Sequence, residues 1–148
     1  MKHLKLLFAA ALMASCDMGT DGNGAVRDTA EAWAEAYFNC DYVEAGKYAT
    51  AESDKWLRFA ASNTTEQELE LVNGRHAVVA SDDDVSISND TLRTVTLRVN
   101  NYLKPSMLGE PAVQADEEGV FYVPVVKRDG RWQVRMEGLP QSEKQSRD

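Results

Sequence analysis

Histidine, cysteine and proline are scarce in this 148-residue chain, with two, two and four copies. The one long apolar run is too short to cross a bilayer. Each shortage removes a class of function. Past residue 16 the chain offers His76 and Cys40 as its imidazole and thiol, too few nitrogen and sulfur ligands for a zinc site. Asp82, Asp83 and Asp84 follow His76 but lack the glycine and closing glutamate of a calcium loop, so they read as a solvated turn. Acids outnumber bases, 24 against 16, and the net charge of -8 opposes nucleic acid and anionic membrane surfaces as partners. There is no Walker loop, no dinucleotide fingerprint, no G-x-S-x-G elbow and no internal repeat. Neither a cofactor nor a metal is expected.

The first segment carries an address. Lys2, His3 and Lys5 precede an apolar run from Leu6 to Ala14 that ends at Ser15-Cys16. A basic start, a short apolar stretch and a small residue before a cut site describe an export signal. With Cys16 directly after the cut, Met13-Ala14-Ser15-Cys16 resembles the lipobox of bacterial lipoproteins, in which leucine is usual at the first place and glycine or alanine at the third. The resemblance implies residues 1–15 as signal peptide, acylation of Cys16, and a chain anchored to a membrane at the cell envelope, on its periplasmic face or at the cell surface. A plain secreted protein with a cysteine near the cut is the alternative. Loss of residues 1–15 removes two lysines and no acid, taking the net charge to about -10. An acylated Cys16 leaves Cys40 without a disulfide partner, so the fold must rest on its core. Residues 16–24, rich in glycine and aspartate, read as a tether reaching about 16 Å.

The domain itself spans residues 25–138. Val26, Ala30, Trp33, Ala34, Tyr37 and Phe38 fall on one stripe of a helix over Val26–Phe38. Asp41 with Glu44 opens a second helix, Tyr42–Ala49, and Thr50 a third that turns Trp56, Leu57 and Ala60 inward and ends near Ser62-Asn63. Leu69, Leu71 and Val72 fit either a strand or a helix tail, and Val78-Val79 reads as strand. Around Asn89-Asp90 a hairpin joins Val85–Ile87 to Thr91–Asn100, where Val95, Leu97 and Val99 alternate with polar residues. A two-residue loop there would oppose Val85 to Thr94 and cross the faces, so the loop is longer or a bulge lies near Arg93-Thr94. Leu103–Glu118 is a long aperiodic connection, of a kind often functional or mobile.

The last hairpin is the best determined. Asp129-Gly130 makes a two-residue turn, which sets Val125 opposite Val134, Val123 opposite Met136 and Lys127 opposite Trp132. Phe121, Val123, Val125, Val134 and Met136 then share one apolar face that needs a cover. The fold class is α+β, with three N-terminal helices on one face of a curved antiparallel sheet of about four to five strands. Residues 139–148 read as a disordered tail.

Three stretches, AEAYFNCDYVEAGKYATAES, SISNDTLRTVTLRV and VPVVKRDGRWQVRM, resemble the nuclear transport factor 2-like superfamily, also called cystatin-like or SnoaL-like, and in particular its small bacterial lipoproteins of unknown function. That resemblance implies an α+β cone with a pocket between helices and sheet, and it places Cys40 where the family commonly has glycine. Enzymes of this fold push an Asp, His or Tyr into the cone. The apolar strand faces here carry neither carboxylate nor histidine, so they supply no desolvated general base and no catalytic residue is assigned. Cys40 reads as a half-buried inert thiol. Trp33, Tyr37, Trp56, Tyr102, Phe121, Val123 and Trp132 are the candidate pocket lining, or simply core. The expected function is non-catalytic binding of a protein or a small hydrophobic ligand. An isomerase or cyclase using the cone pocket, and a homodimerisation module, are the alternatives.

Overall fold

The N-terminal stripe folds as expected. Val26, Ala30, Trp33 and Ala34 are all but fully buried along one face of the first helix, α1 (Asn23–Phe38). The helix starts one turn ahead of its stripe, because the apolar period marks only the part that packs. The computed structural model describes residues 23–105 and 109–146. The expected signal peptide, Cys16 and most of the expected tether lie outside the described residues. Among the described residues no helix is long and apolar enough to cross a membrane.

Four further helical pieces follow α1. The second helix, α2 (Tyr42–Gly46), is capped by Asp41, whose carboxylate accepts the Glu44 N–H at 3.1 Å. A single 3-10 turn, Ala51–Ser53, leads into α3 (Asp54–Asn63), which buries Leu57 and Ala60. The ambiguous stretch after it is a fourth helix, α4 (Glu66–Gly74), so among the described residues four helices rather than three precede the sheet. Its cause is a capping box: Thr65 Oγ1 accepts from the Glu68 N–H at 3.2 Å, and Glu68 Oε1 accepts from the Thr65 N–H at 2.9 Å.

The sheet has four antiparallel strands in sequential order: β1 (Val78–Asn89), β2 (Leu92–Asn100), β3 (Gly119–Arg128) and β4 (Arg131–Val134). The closing hairpin keeps the expected register, with Val125 opposite Val134 and Lys127 opposite Trp132. Its ladder stops at Val134, so the expected rung from Val123 to Met136 does not form. The first hairpin differs more. Its turn is Asp90-Thr91, one residue later than expected, because Asn89 Oδ1 accepts from the Thr91 N–H at 2.9 Å and fixes the corner. The bulge lies across from Arg93, as expected, but the extra residue is carried by β1, between Ile87 and Asn89, and not by β2. A second irregularity between Ser81 and Val85 takes up Asp82, Asp83 and Asp84, and so Val85 faces Val95.

Helix α1 lies across the sheet and touches all four strands. The core between them holds Trp33 with Val95, Leu97, Val99, Val125 and Val134, each at most 1% exposed. Each such side chain contributes on the order of 1.5–3 kcal/mol relative to exposure. The free side of β4 is covered by the preceding loop: Thr50 N–H donates to Val134 O and Val134 N–H to Tyr48 O, both at 2.8 Å. Beyond the sheet the chain is not a loose tail. Ser142 is 2% exposed, and a short helix, α5 (Glu143–Ser146), returns against β3 with Lys144 paired to Glu117. The polar composition of this stretch concealed its packing.

Candidate functional site

A groove of about 640 Å³ opens at the end of the sheet where α1 finishes. The sequence of that helix end decides its shape. The Cys40 N–H donates to Tyr37 O at 3.0 Å and the Asp41 N–H to Ala36 O at 2.8 Å, the two bonds of a Schellman motif. Cys40 holds its left-handed position with φ of 65°. The chain thereby reverses sharply into α2 and sets Tyr42 edge-on to Tyr37, ring centroids 5.5 Å apart.

Aromatic contacts continue across the groove to the sheet. Trp33 stacks on Tyr37 at 5.1 Å, Phe38 meets Phe121 at 4.7 Å, and Tyr102 stands edge-on to Phe121 at 5.3 Å. Tyr102 reaches this position because residue 119 is glycine; a Cβ there would lie 2.6 Å from the Tyr102 ring. The long connection that follows Tyr102 is tied at its base, where the Ala115 N–H donates to Tyr102 O at 2.8 Å and Leu103 bridges Gln114. Leu139, Pro140 and Gln141 close the far wall.

The half-buried polar groups of the groove are neutral or engaged, while the exposed Lys104 and Glu110 add charge to its lining. Thr64 Oγ1 donates to Ala60 O at 2.7 Å, so its proton is committed and the Tyr42 hydroxyl donates to Thr64 at 2.8 Å. Burial pushes the Tyr37 and Tyr42 phenols well above the ordinary tyrosine range. Burial also raises the Cys40 thiol; the neighbouring Tyr42 hydroxyl opposes this and the Glu68 charge adds to it. All three are therefore protonated at neutral pH. Glu68 lines the groove with its carboxylate held in the capping box. No Asp, Glu or His is buried among the described residues.

Of the seven candidate lining residues, Tyr37, Tyr102 and Phe121 meet in this groove. Trp33 and Val123 line a second cavity behind it. Trp56 and Trp132 line neither: both pack against the core, Trp132 under the cations of Arg93 at 5.1 Å and Lys127 at 5.8 Å. Phe38 and Tyr42 belong to the groove and were not among the candidates, although their place at the helix break was a usable signal. His76 is exposed, Asp82 pairs with Arg98 at 2.8 Å and Asp83 with Arg27 at 3.2 Å. Among the described residues no group of three or more His, Cys, Asp or Glu side chains gathers as a metal site.

Comparison with solved structures decides the architecture. A crystal structure of an NTF-2-like protein of unknown function from Shewanella oneidensis MR-1 superposes with a TM-score of 0.51. The overlap covers 77% of this chain and 94% of that one, at 14% identity. This chain has the NTF-2-like fold. At that identity the likeness speaks for the fold alone. Sequence comparison finds no family model and no curated protein that matches. In this NTF-2-like domain the groove lies between the helices and the end of the sheet.

Proposed function

We propose that this protein is an exported binding domain, held at the cell envelope by lipid on Cys16, whose groove takes a small, uncharged, apolar molecule. The observation that carries the reading is the combination of an aromatic lining with half-buried polar groups that are neutral or engaged, the charges of Lys104 and Glu110 lying on exposed side chains. A volume of about 640 Å³ falls in the range of ordinary small-molecule sites. A ligand in its inner part meets π-faces and hydroxyl groups, while the charges of Lys104 and Glu110 stay on exposed side chains. An isomerase or cyclase would need a desolvated acid or base beside its substrate. The half-buried Glu68, fixed by Thr65, supports binding over turnover.

The test is titration with N-phenyl-1-naphthylamine, a neutral fluorophore that brightens in apolar surroundings. The wild-type chain should bind it saturably. Asn63→Trp, at an exposed position on the groove wall, should weaken it at least tenfold without changing the fold by circular dichroism. Equal binding by both proteins would refute the groove as the site. The address has its own check: radiolabelled palmitate should enter the chain in a bacterial host and be absent from Cys16→Ser, and an unlabelled wild-type chain would refute the anchor.

A further inference from the structure

The direction of α1 gives the molecule two distinct ends. Arg27, early in the helix, pairs with Asp83 at 3.2 Å, while Asn39, just past its last residue, accepts from the Ala77 N–H at 2.8 Å. The helix therefore runs antiparallel to β1. It finishes at the groove, and its start points toward the two hairpin turns of the sheet. Those turns are neighbours, since the Lys127 N–H donates to Thr91 O at 2.8 Å. A helix of 16 residues, about 24 Å long, separates the groove from that end. Only residues 16–22 lie between Cys16 and α1, so Asn23 stands no farther than about 25 Å from a lipid on Cys16.

Charge divides along the same axis. The turns carry Arg93, Lys127, Arg128 and Arg131 against Asp90 and Asp129. Arg128 is paired with Glu52, yet it lies directly opposite Arg131 in the ladder, a like-charge pair that weakens the hairpin. Among the described residues no carboxylate pairs with Arg93, Lys127 or Arg131. Arg93 and Lys127 sit instead over Trp132, and Ile87, opposite Arg93, is 60% exposed. The groove end is acidic. It carries Glu66, Glu68 and Glu70 on α4 and the run Asp116-Glu117-Glu118, of which Lys144 and Arg98 answer the last two. With Lys104 and Arg75 counted, acids there stay in excess. The net charge of -8 opposes an anionic surface only when averaged over all directions.

We infer that the paired hairpin turns are a docking surface for a bilayer bearing anionic phospholipid headgroups, on which the domain stands with its groove directed away from the membrane. The inference rests on the proposed lipid at Cys16. Arg93, Lys127 and Arg131 meet the phosphates, and Trp132 and Ile87 suit the boundary between headgroups and acyl chains. The acidic end is repelled by the same surface, so both ends set the orientation. Each cation near an anionic bilayer strengthens the contact about fivefold, and the tether supplies a high local concentration. A ligand then enters the groove from the aqueous side.

The experiment uses the full acylated chain, ¹⁵N-labelled, in nanodiscs carrying a gadolinium chelate at headgroup level. On discs of equal parts phosphatidylglycerol and phosphatidylcholine, amide protons of residues 87–92 and 127–132 should relax at least tenfold faster through the metal than those of residues 116–118. On phosphatidylcholine alone this bias should fall severalfold. Lys127→Glu with Arg131→Glu, both exposed and outside the groove, should stay on the mixed discs, keep the fold by circular dichroism and lose the bias. Equal relaxation at both ends, or a bias undiminished on phosphatidylcholine or in the double variant, would overturn the docking surface. Any of these leaves the anchor standing and the cations to an acidic protein partner. No relaxation by the metal anywhere would refute the anchor and the surface together.

Discussion

Cys40 occupies a backbone position that suits glycine, with φ of 65° at the end of α1. A left-handed residue with a Cβ carries a strain of about 1–2 kcal/mol, and glycine's extra freedom in the unfolded chain returns part of it. Cys40→Gly should therefore stabilise the fold by roughly 0.5–1 kcal/mol, seen as a higher urea midpoint at unchanged slope. Ser53 presents the opposite case. It is fully buried, its Oγ lies 2.7 Å from Thr50 Oγ1, and it accepts the Met136 N–H at 2.9 Å. Ser53→Ala leaves that N–H without its acceptor and should cost about 1–3 kcal/mol in the same measurement. The family resemblance flagged position 40 as unusual, since it put a glycine there. Nothing flagged Ser53, because its partner is 83 residues away and no local pattern encodes the bond.

At the level of elements, legibility followed the purity of the period. The stripe of α1 and the alternation of β2 and β3 are clean, and each folded as read. In α4 the spacing of Leu69, Leu71 and Val72 mixes both periods, yet Thr65-Glu66-Gln67-Glu68 held a capping signature that settles the choice. Thr65→Ala should cost about 1 kcal/mol, and amide exchange should quicken first within α4. The β1 bulge was illegible, because three consecutive aspartates disfavour a strand and only the pairing with β2 keeps them in one. Gly119 opens β3, and its lack of a side chain admits the Tyr102 ring. Gly119→Ala forces that ring or the strand to move. A loss of about 1–3 kcal/mol and weaker fluorophore binding should follow.

For the molecule as a whole, pH acts from two sides. Asp82 beside Arg98, Glu52 beside Arg128 and Glu117 beside Lys144 are all held below the ordinary carboxylate range by those hydrogen-bonded cations. Their contribution is present above the unfolded carboxylate values, near pH 4, and is lost as pH falls through the lowered native ones. Tyr37, Tyr42 and Cys40 are raised by burial. Their contribution is present below the unfolded values of about 8.5–10 and disappears as pH climbs through the raised native ones. Urea midpoints measured from pH 2 to 12 should show a plateau that falls at both ends, the alkaline fall shrinking in Tyr42→Phe. The order of helices and strands was legible because it is written in consecutive residues. The groove was not, since it forms where residues near 37–42, 60–68, 102–105, 121 and 139–141 converge, and aromatic spacing does not distinguish a cavity wall from solid core. The aspartate kink in β1 has one more consequence. Among the described residues strand β1 ends the sheet with no further strand paired along its outer side, an invitation for neighbouring molecules to zip on and grow into aggregates. The bend misaligns such zipping and the aspartates, two of them already paired with Arg98 and Arg27, keep an apolar edge from forming there, which should act against fibre growth. Replacing Asp82, Asp83 and Asp84 with asparagine should raise the scattered light of concentrated solutions over hours, while the native sequence stays clear.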